Sequence, residues 1–148
     1  MILQQERAVP RCQPSGNDQA TGPRIVSSAE TARDFFDALA PTRDRDKARH
    51  WYYYRCLTAF LQFVVPPGQR VLEVGCGTGD LLAAVDPVFG VGLDISRAML
   101  TIARRKYPHL HFVQSDAHWP ALSGRFDYII LSDLVGDLED VQDRKSVV

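Results

Sequence analysis

The sequence predicts an α/β fold, a parallel sheet with helices on both faces behind an N-terminal helical extension. Three observations predict it. From Arg70 onwards short apolar runs alternate with segments of helical period, and a cluster of glycines joins the first such run to the first such helix. The last run, Phe126-Asp127-Tyr128-Ile129-Ile130-Leu131-Ser132, is almost continuously apolar, as strands buried on both faces of a parallel sheet are. Strand–helix–strand succession then implies right-handed crossovers.

Length and composition agree with one such domain. The chain has 148 residues, 45% hydrophobic and 24% charged, and its 17 Lys+Arg against 18 Asp+Glu leave a formal net charge of −1. A chain of this size buries roughly two thirds of its unfolded surface without staples or metals. Near-neutrality speaks against nucleic acid or an anionic membrane as partner, because both select for a basic excess. The three cysteines, Cys12, Cys56 and Cys76, are odd in number and lack CxxC spacing, so no disulfide framework and no metal site is expected. A reducing, cytoplasmic home follows as the expectation. There is no signal-peptide h-region and no run of about 20 apolar residues.

Residues 1–27 are rich in Gln, Pro, Gly, Ser and Asn without apolar period and read as a disordered leader. Residues 28–66 read as a pair of helices. Ser27 and Glu30 form a capping box ahead of Ala32, Phe35, Phe36 and Leu39, with Pro41 as the stop. A second helix is expected from Asp44 to Val65, carrying Trp51, Tyr54, Thr58, Leu61 and Val65 on one face until Pro66-Pro67-Gly68 breaks it. The alternating charges of Arg43 to Arg49 read as its solvated start, and Trp51 and Tyr54 as core.

Residues 67–148 carry the sheet. Arg70–Val74 is the first strand, Gly75 to Gly79 the turn, and Asp80 to about Val85 a short helix. Phe89 to Leu93 is the second strand. Ser96 caps a helix with Met99, Ile102 and Ala103 on one face and Arg104, Arg105 and Lys106 at the negative end of its dipole. Leu110 to Gln114 is the third strand, Phe126 to Ser132 the fourth, and one further helix is expected near Leu138.

The glycine turn carries the chemistry. Glycines at 75, 77 and 79 let the backbone turn sharply and let a ligand approach without meeting Cβ atoms, while free amides of the next helix favour a negative group. Asp94 ends the second strand, placed to accept both hydroxyls of a ribose. A dinucleotide fingerprint would put its third glycine where Asp80 stands, so an NAD-dependent oxidoreductase is disfavoured by the spacing.

Glu73-Val74-Gly75-Cys76-Gly77-Thr78-Gly79 resembles motif I of the class I, Rossmann-like S-adenosylmethionine (SAM)-dependent methyltransferases. Gly92-Leu93-Asp94-Ile95-Ser96, Gln114-Ser115-Asp116-Ala117 and the run from Phe126 to Ser132 resemble that family's next three motifs, in order. The resemblance implies that Gly75 and Gly77 lie against the methionine end of SAM, that Glu73 helps organise that end, and that Gly79 belongs to the same cofactor-binding turn. It further implies that Asp94 takes the ribose diol, that Ile95 packs on the adenine, and that Asp116 and the Ala117 amide read the adenine edge. The backbone near Ser132 would meet the methionine amine, and residues 28–66 would be lid-like helices.

Asp133 and His118 are the two weak candidates for a base, but Asp133 reads more readily as a solvated loop acid or helix cap and His118 as a surface loop residue. Tyr52 or Tyr53 could face the sulfonium. Ser132-Asp133-Leu134-Val135 lacks the Asn/Asp-Pro-Pro-aromatic pattern of amide- and adenine-N methylation, which argues against that subclass and leaves the acceptor open, while the resemblance of residues 28–66 to the lid helices of small-molecule methyltransferases implies a small-molecule acceptor. The family normally has seven strands, so the expectation is a domain cut after its fourth. The resulting open edge invites self-association or a docked partner, and the second functional reading is a non-catalytic SAM-binding module. Aminopropyl transfer would use a similar fold.

Overall fold

A computed structural model describes residues 29–117 and 124–131. Eight elements follow in chain order: α1 (Ala29–Arg49), α2 (Trp51–Val64), β1 (Arg70–Val74), α3 (Asp80–Ala84), β2 (Phe89–Asp94), α4 (Arg97–Lys106), β3 (His111–Gln114) and β4 (Tyr128–Ile130). The strands form one parallel sheet in the order β3-β2-β1-β4. This is the Rossmann-like sheet. The chain steps outward from β1 to β3 and then returns to the other side of β1, so the order reverses between β1 and β4, where open α/β sheets bind ligands.

Alternation along β1 divides the core in two. Val71 faces the helices with Leu61, Val65, Leu81, Leu82, Leu100, Ala103 and Phe112, while Leu72, Val74, Val91 and Leu93 form a second cluster with Phe89, Ala117 and Phe126 packed on it. Helices α2, α3 and α4 supply the first side, and α1 lies mainly against α4. The helix expected near Leu138, like the leader, Ser27, His118, Ser132 and Asp133, lies outside the described residues.

Three expectations are corrected. Pro41 does not stop the first helix but sits inside α1. The helix survives the lost amide because it is anchored on both sides of the proline, through Asp37 to Ser96 and through Asp44 and Lys47 to the glycine turn. In consequence the second helix starts at Trp51 rather than Asp44. Trp51 is 58% exposed and not core, whereas Leu61 and Val65 are buried as expected. The third correction concerns the expected burial of the last strand on both faces: β4 is an edge among the described strands, with Ile130 buried but Ile129 and Leu131 42% and 52% exposed.

Among the described residues Cys76 is a free, buried thiol. No described helix is long and apolar enough to cross a membrane. Among the described residues no group of three His, Cys, Asp or Glu could hold a metal ion.

Candidate functional site

The site is built on the carboxyl ends of β1, β2 and β3. At β1 the backbone turns through Gly75, Gly77 and Gly79, all at positive φ (77°, 52° and 81°), a region costly for residues with a Cβ. The amides of Gly75 and Cys76 both donate to the Leu93 carbonyl, which pins the turn to β2. The glycines differ in what surrounds them. A Cβ on Gly77 would meet nothing within 4 Å, whereas one on Gly79 would lie 2.9 Å from Phe112 and 3.3 Å from Ala103. Gly79 therefore lets α3 pack close to β3 and α4, and Gly77 borders open space.

Glu73 is 1% exposed and lies beneath this turn on the helix side. Its carboxylate accepts from the Leu82 amide at 3.0 Å, so it satisfies one of the orphan amides of the first turn of α3. Its place in the structure is a brace below the turn.

Asp94 is the last residue of β2. One carboxylate oxygen accepts from the Gly77 amide at 2.7 Å and the other from the Ser96 amide at 2.8 Å. Burial pushes its pKa up, while the two amide bonds and the nearby Arg43 guanidinium oppose the shift. Each oxygen keeps a second lone pair, so a carboxylate fixed in this way is preorganised to accept two hydroxyls from one direction. Beside it the Gln114 side-chain amide donates to the Ile95 carbonyl, and the Ser115 amide to the Asp94 carbonyl. These bonds bring Asp116 and Ala117, just past β3, to the same edge as Asp94 and Ile95. Of the residues named from sequence, Glu73, Gly75, Gly77, Gly79, Asp94, Ile95, Asp116 and Ala117 thus converge on the ends of β1 to β3. Ser132, His118 and Asp133 lie outside the described residues.

The structure adds residues that sequence reasoning passed over. Lys47 Nζ lies 2.8 Å from both Thr78 Oγ1 and Asp80 Oδ2, and Thr78 Oγ1 donates to Asp44 Oδ1 at 2.7 Å. Asp80 also takes the Tyr107 hydroxyl at 2.7 Å and pairs with Lys106, which reaches Asp44 at 2.9 Å. Burial would raise the Asp80 pKa, but the bonds from Lys106, Lys47 and Tyr107 prevail and hold it well below the usual carboxylate range. The charged run Arg43 to Arg49 is therefore no solvated helix start: Asp44 and Lys47 bind the turn. Arg43 donates to the Tyr54 hydroxyl at 3.0 Å, so Tyr54 is held by a cation rather than by apolar core. Cys76 is buried, and burial pushes its thiol pKa far up, so it fills space as a neutral thiol.

Open space over Gly77 and the Asp94 carboxylate clamped beside it by two amides are a set that fits the ribose end of a nucleoside such as SAM. Comparison with known proteins agrees. A family described as "Methyltransferase domain" matches residues 71–147, just over half of the chain. A demethylmenaquinone methyltransferase of Chlorobaculum tepidum is 30% identical over 127 residues, 78% of this chain and 52% of its own length. A ubiquinone/menaquinone biosynthesis C-methyltransferase of Coxiella burnetii is 34% identical over 85 residues, 49% of this chain and 34% of its own length. The chain thus spans about half, or less, of these relatives. The solved structure of magnesium protoporphyrin IX methyltransferase from Synechocystis PCC 6803 with bound SAH shares the fold, with TM-score 0.56 and 23% identity over 73% of this chain and 60% of that one.

Proposed function

Since the chain belongs to the methyltransferase domain family, we propose that it binds S-adenosylmethionine at the ends of β1 to β3 and serves methyl transfer to a small-molecule acceptor. The observation that carries this reading is Asp94, clamped by the Gly77 and Ser96 amides next to the open space over Gly77. SAM supplies an activated methyl on a sulfonium. The chain's own residues do the positioning, and in methyl transfer positioning is most of the help required, because charge disperses in the transition state.

In this reading Asp94 orients the ribose, Ile95, Asp116 and the Ala117 amide hold the adenine, and Gly75 and Gly77 admit the methionine end, with Glu73 bracing the turn below. Gly79 contributes through packing. The backbone near Ser132 would receive the methionine amine, and Asp133 and His118 remain the candidates for a base. Residues 28–66 act as a lid. The relatives named for quinone precursors make a quinol ring carbon the first acceptor to assay. Cytoplasmic residence belongs to the same reading. The thiol state of Cys56 in freshly lysed cells tests it.

The experiment is calorimetric titration of the folded chain with S-adenosylhomocysteine and with NAD, repeated on Asp94→Ala. Selective binding of S-adenosylhomocysteine that Asp94→Ala abolishes is expected. A folded chain that binds neither ligand overturns the assignment. The second reading, a non-catalytic SAM-binding module, is favoured by the apolar groove between α2 and the β4 edge, lined by Phe60, Val64, Ile129 and Leu131 among others. Binding without turnover on any acceptor, by a protein that holds a partner at that edge, would support it.

A further inference from the structure

We propose that Lys47 is a positioning residue for the cofactor: by bridging Thr78 and Asp80 it fixes the far limb of the glycine turn and latches α1 across the end of β2. The proposal rests on the SAM-binding reading above.

Lysine is rarely buried unless paired, and the Lys47 side chain is only 13% exposed. Its partners, Thr78 Oγ1 in the turn and Asp80 Oδ2 at the start of α3, lie at 2.8 Å, and neither is on its own helix. Asp80 in turn receives Lys47, Lys106 and Tyr107. Its carboxylate is committed to holding elements together rather than to a ligand. Thr78, fully buried, is fixed by Lys47 and Asp44 together.

This fixation reaches the ligand-facing atoms in one step. Gly77, whose amide holds Asp94, is the neighbour of Thr78 in the chain. On the other side of Asp94, Asp37 accepts from the Ser96 hydroxyl and from the Ala98 amide at 3.0 Å, and the Ser96 amide is the second clamp on Asp94. Asp37 and Lys47 are ten residues apart on α1, about 15 Å of helix. Helix α1 therefore straps the two backbone segments that clamp the diol acceptor.

The strap is fastened by polar groups. Among the described residues Ala40 is the one buried side chain of α1, and Phe35 is 44% exposed. A helix held by ion pairs and hydrogen bonds instead of apolar burial can release without dissolving the sheet core. Lys47 is the innermost cation of that attachment, and Lys106, 29% exposed, supports it from α4.

The test is titration of S-adenosylhomocysteine into the wild type, Lys47→Met, Asp80→Asn, the double variant and Lys47→Arg, with a thermal melt of each. In Lys47→Met, Asp80 keeps Lys106 and Tyr107, and Thr78 keeps Asp44, so the fold is retained. Affinity is expected to fall about 10- to 100-fold, the scale of a misplaced positioning group. The double variant should lose no more than the worse single one, and Lys47→Arg should recover most of the loss, neither of which a general loss of stability would produce. Equal binding by wild type and Lys47→Met overturns the proposal alone, as does a loss explained by the unfolded fraction. A folded wild type that binds nothing fails the SAM reading and this proposal with it.

Discussion

Two glycines of one turn do different work, and substitution separates them. Gly79→Ala puts a methyl at φ 81° and 2.9 Å from the Phe112 ring, so it meets both a left-handed backbone cost of about 1–2 kcal/mol and an overpacking cost of roughly 1–3 kcal/mol. Gly77→Ala meets only the first, since nothing lies within 4 Å of the added Cβ. Gly79→Ala should therefore melt several degrees lower than Gly77→Ala, while Gly77→Ala should lose more affinity for S-adenosylhomocysteine per degree of melting lost. Parallel melts and titrations check this, and equal melting temperatures would contradict the packing assigned to Gly79. Asp94 adds a pH dependence at the same scale. Its pKa is raised, so its contribution to stability is present below the unfolded value and lost as pH rises through the folded one, whereas a ribose requires the charged acceptor. Binding should thus weaken as pH falls at a value above the ordinary carboxylate range of about 3.9.

The helix that straps the turn has the opposite acid response. Hydrogen bonds from Ser96 and Ala98 lower the pKa of Asp37, and those from Lys106, Lys47 and Tyr107 lower that of Asp80 against its burial. A lowered folded pKa contributes stability that is present above the unfolded value and lost as pH falls towards the folded one. Release of α1 is therefore expected only below about pH 3.9, after ligand affinity has gone. Amide exchange on Ala29–Arg49 as a function of pH measures it, and release in step with the loss of binding would contradict the order. This helix is also where sequence reasoning failed. Asp37, Ala40, Asp44 and Lys47 follow one another at three- and four-residue steps and share a helix face. Taking Pro41 as a terminator cut that face in half and turned its inner charges into a solvated start. Strands β1 and β2, the Ser96 cap and the convergence at Asp94 were legible because each depends on local residue order. The Lys47 attachment was not, because it joins residues more than 30 positions apart and local propensity argued against the helix that carries it.

At the scale of the whole molecule the sheet ends unevenly. β3 closes one edge with a strand only four residues long, whereas β4 presents Ile129 and Leu131 beside Tyr53, Phe60 and Val64 of α2, a groove of about 370 Å³. An exposed apolar edge strand pairs with whatever strand it meets unless a charge or a bulge blocks it. For the 148-residue chain self-association is the expected outcome, visible as concentration-dependent sedimentation. Ile129→Lys places a charge on the exposed side of β4, where the native residue is 42% exposed and contributes little core, so it should return the chain to a monomer with little change in melting. Because Asp94, the proposed ribose acceptor, stands on β2 with β1 between it and this edge, the same variant should still bind S-adenosylhomocysteine. A dilution-stable monomer in the wild type would show that the edge is covered. An Ile129→Lys variant that loses the ligand along with association would show instead that the β4 edge is coupled to the site at the end of β2, and that a second chain at β4 completes it.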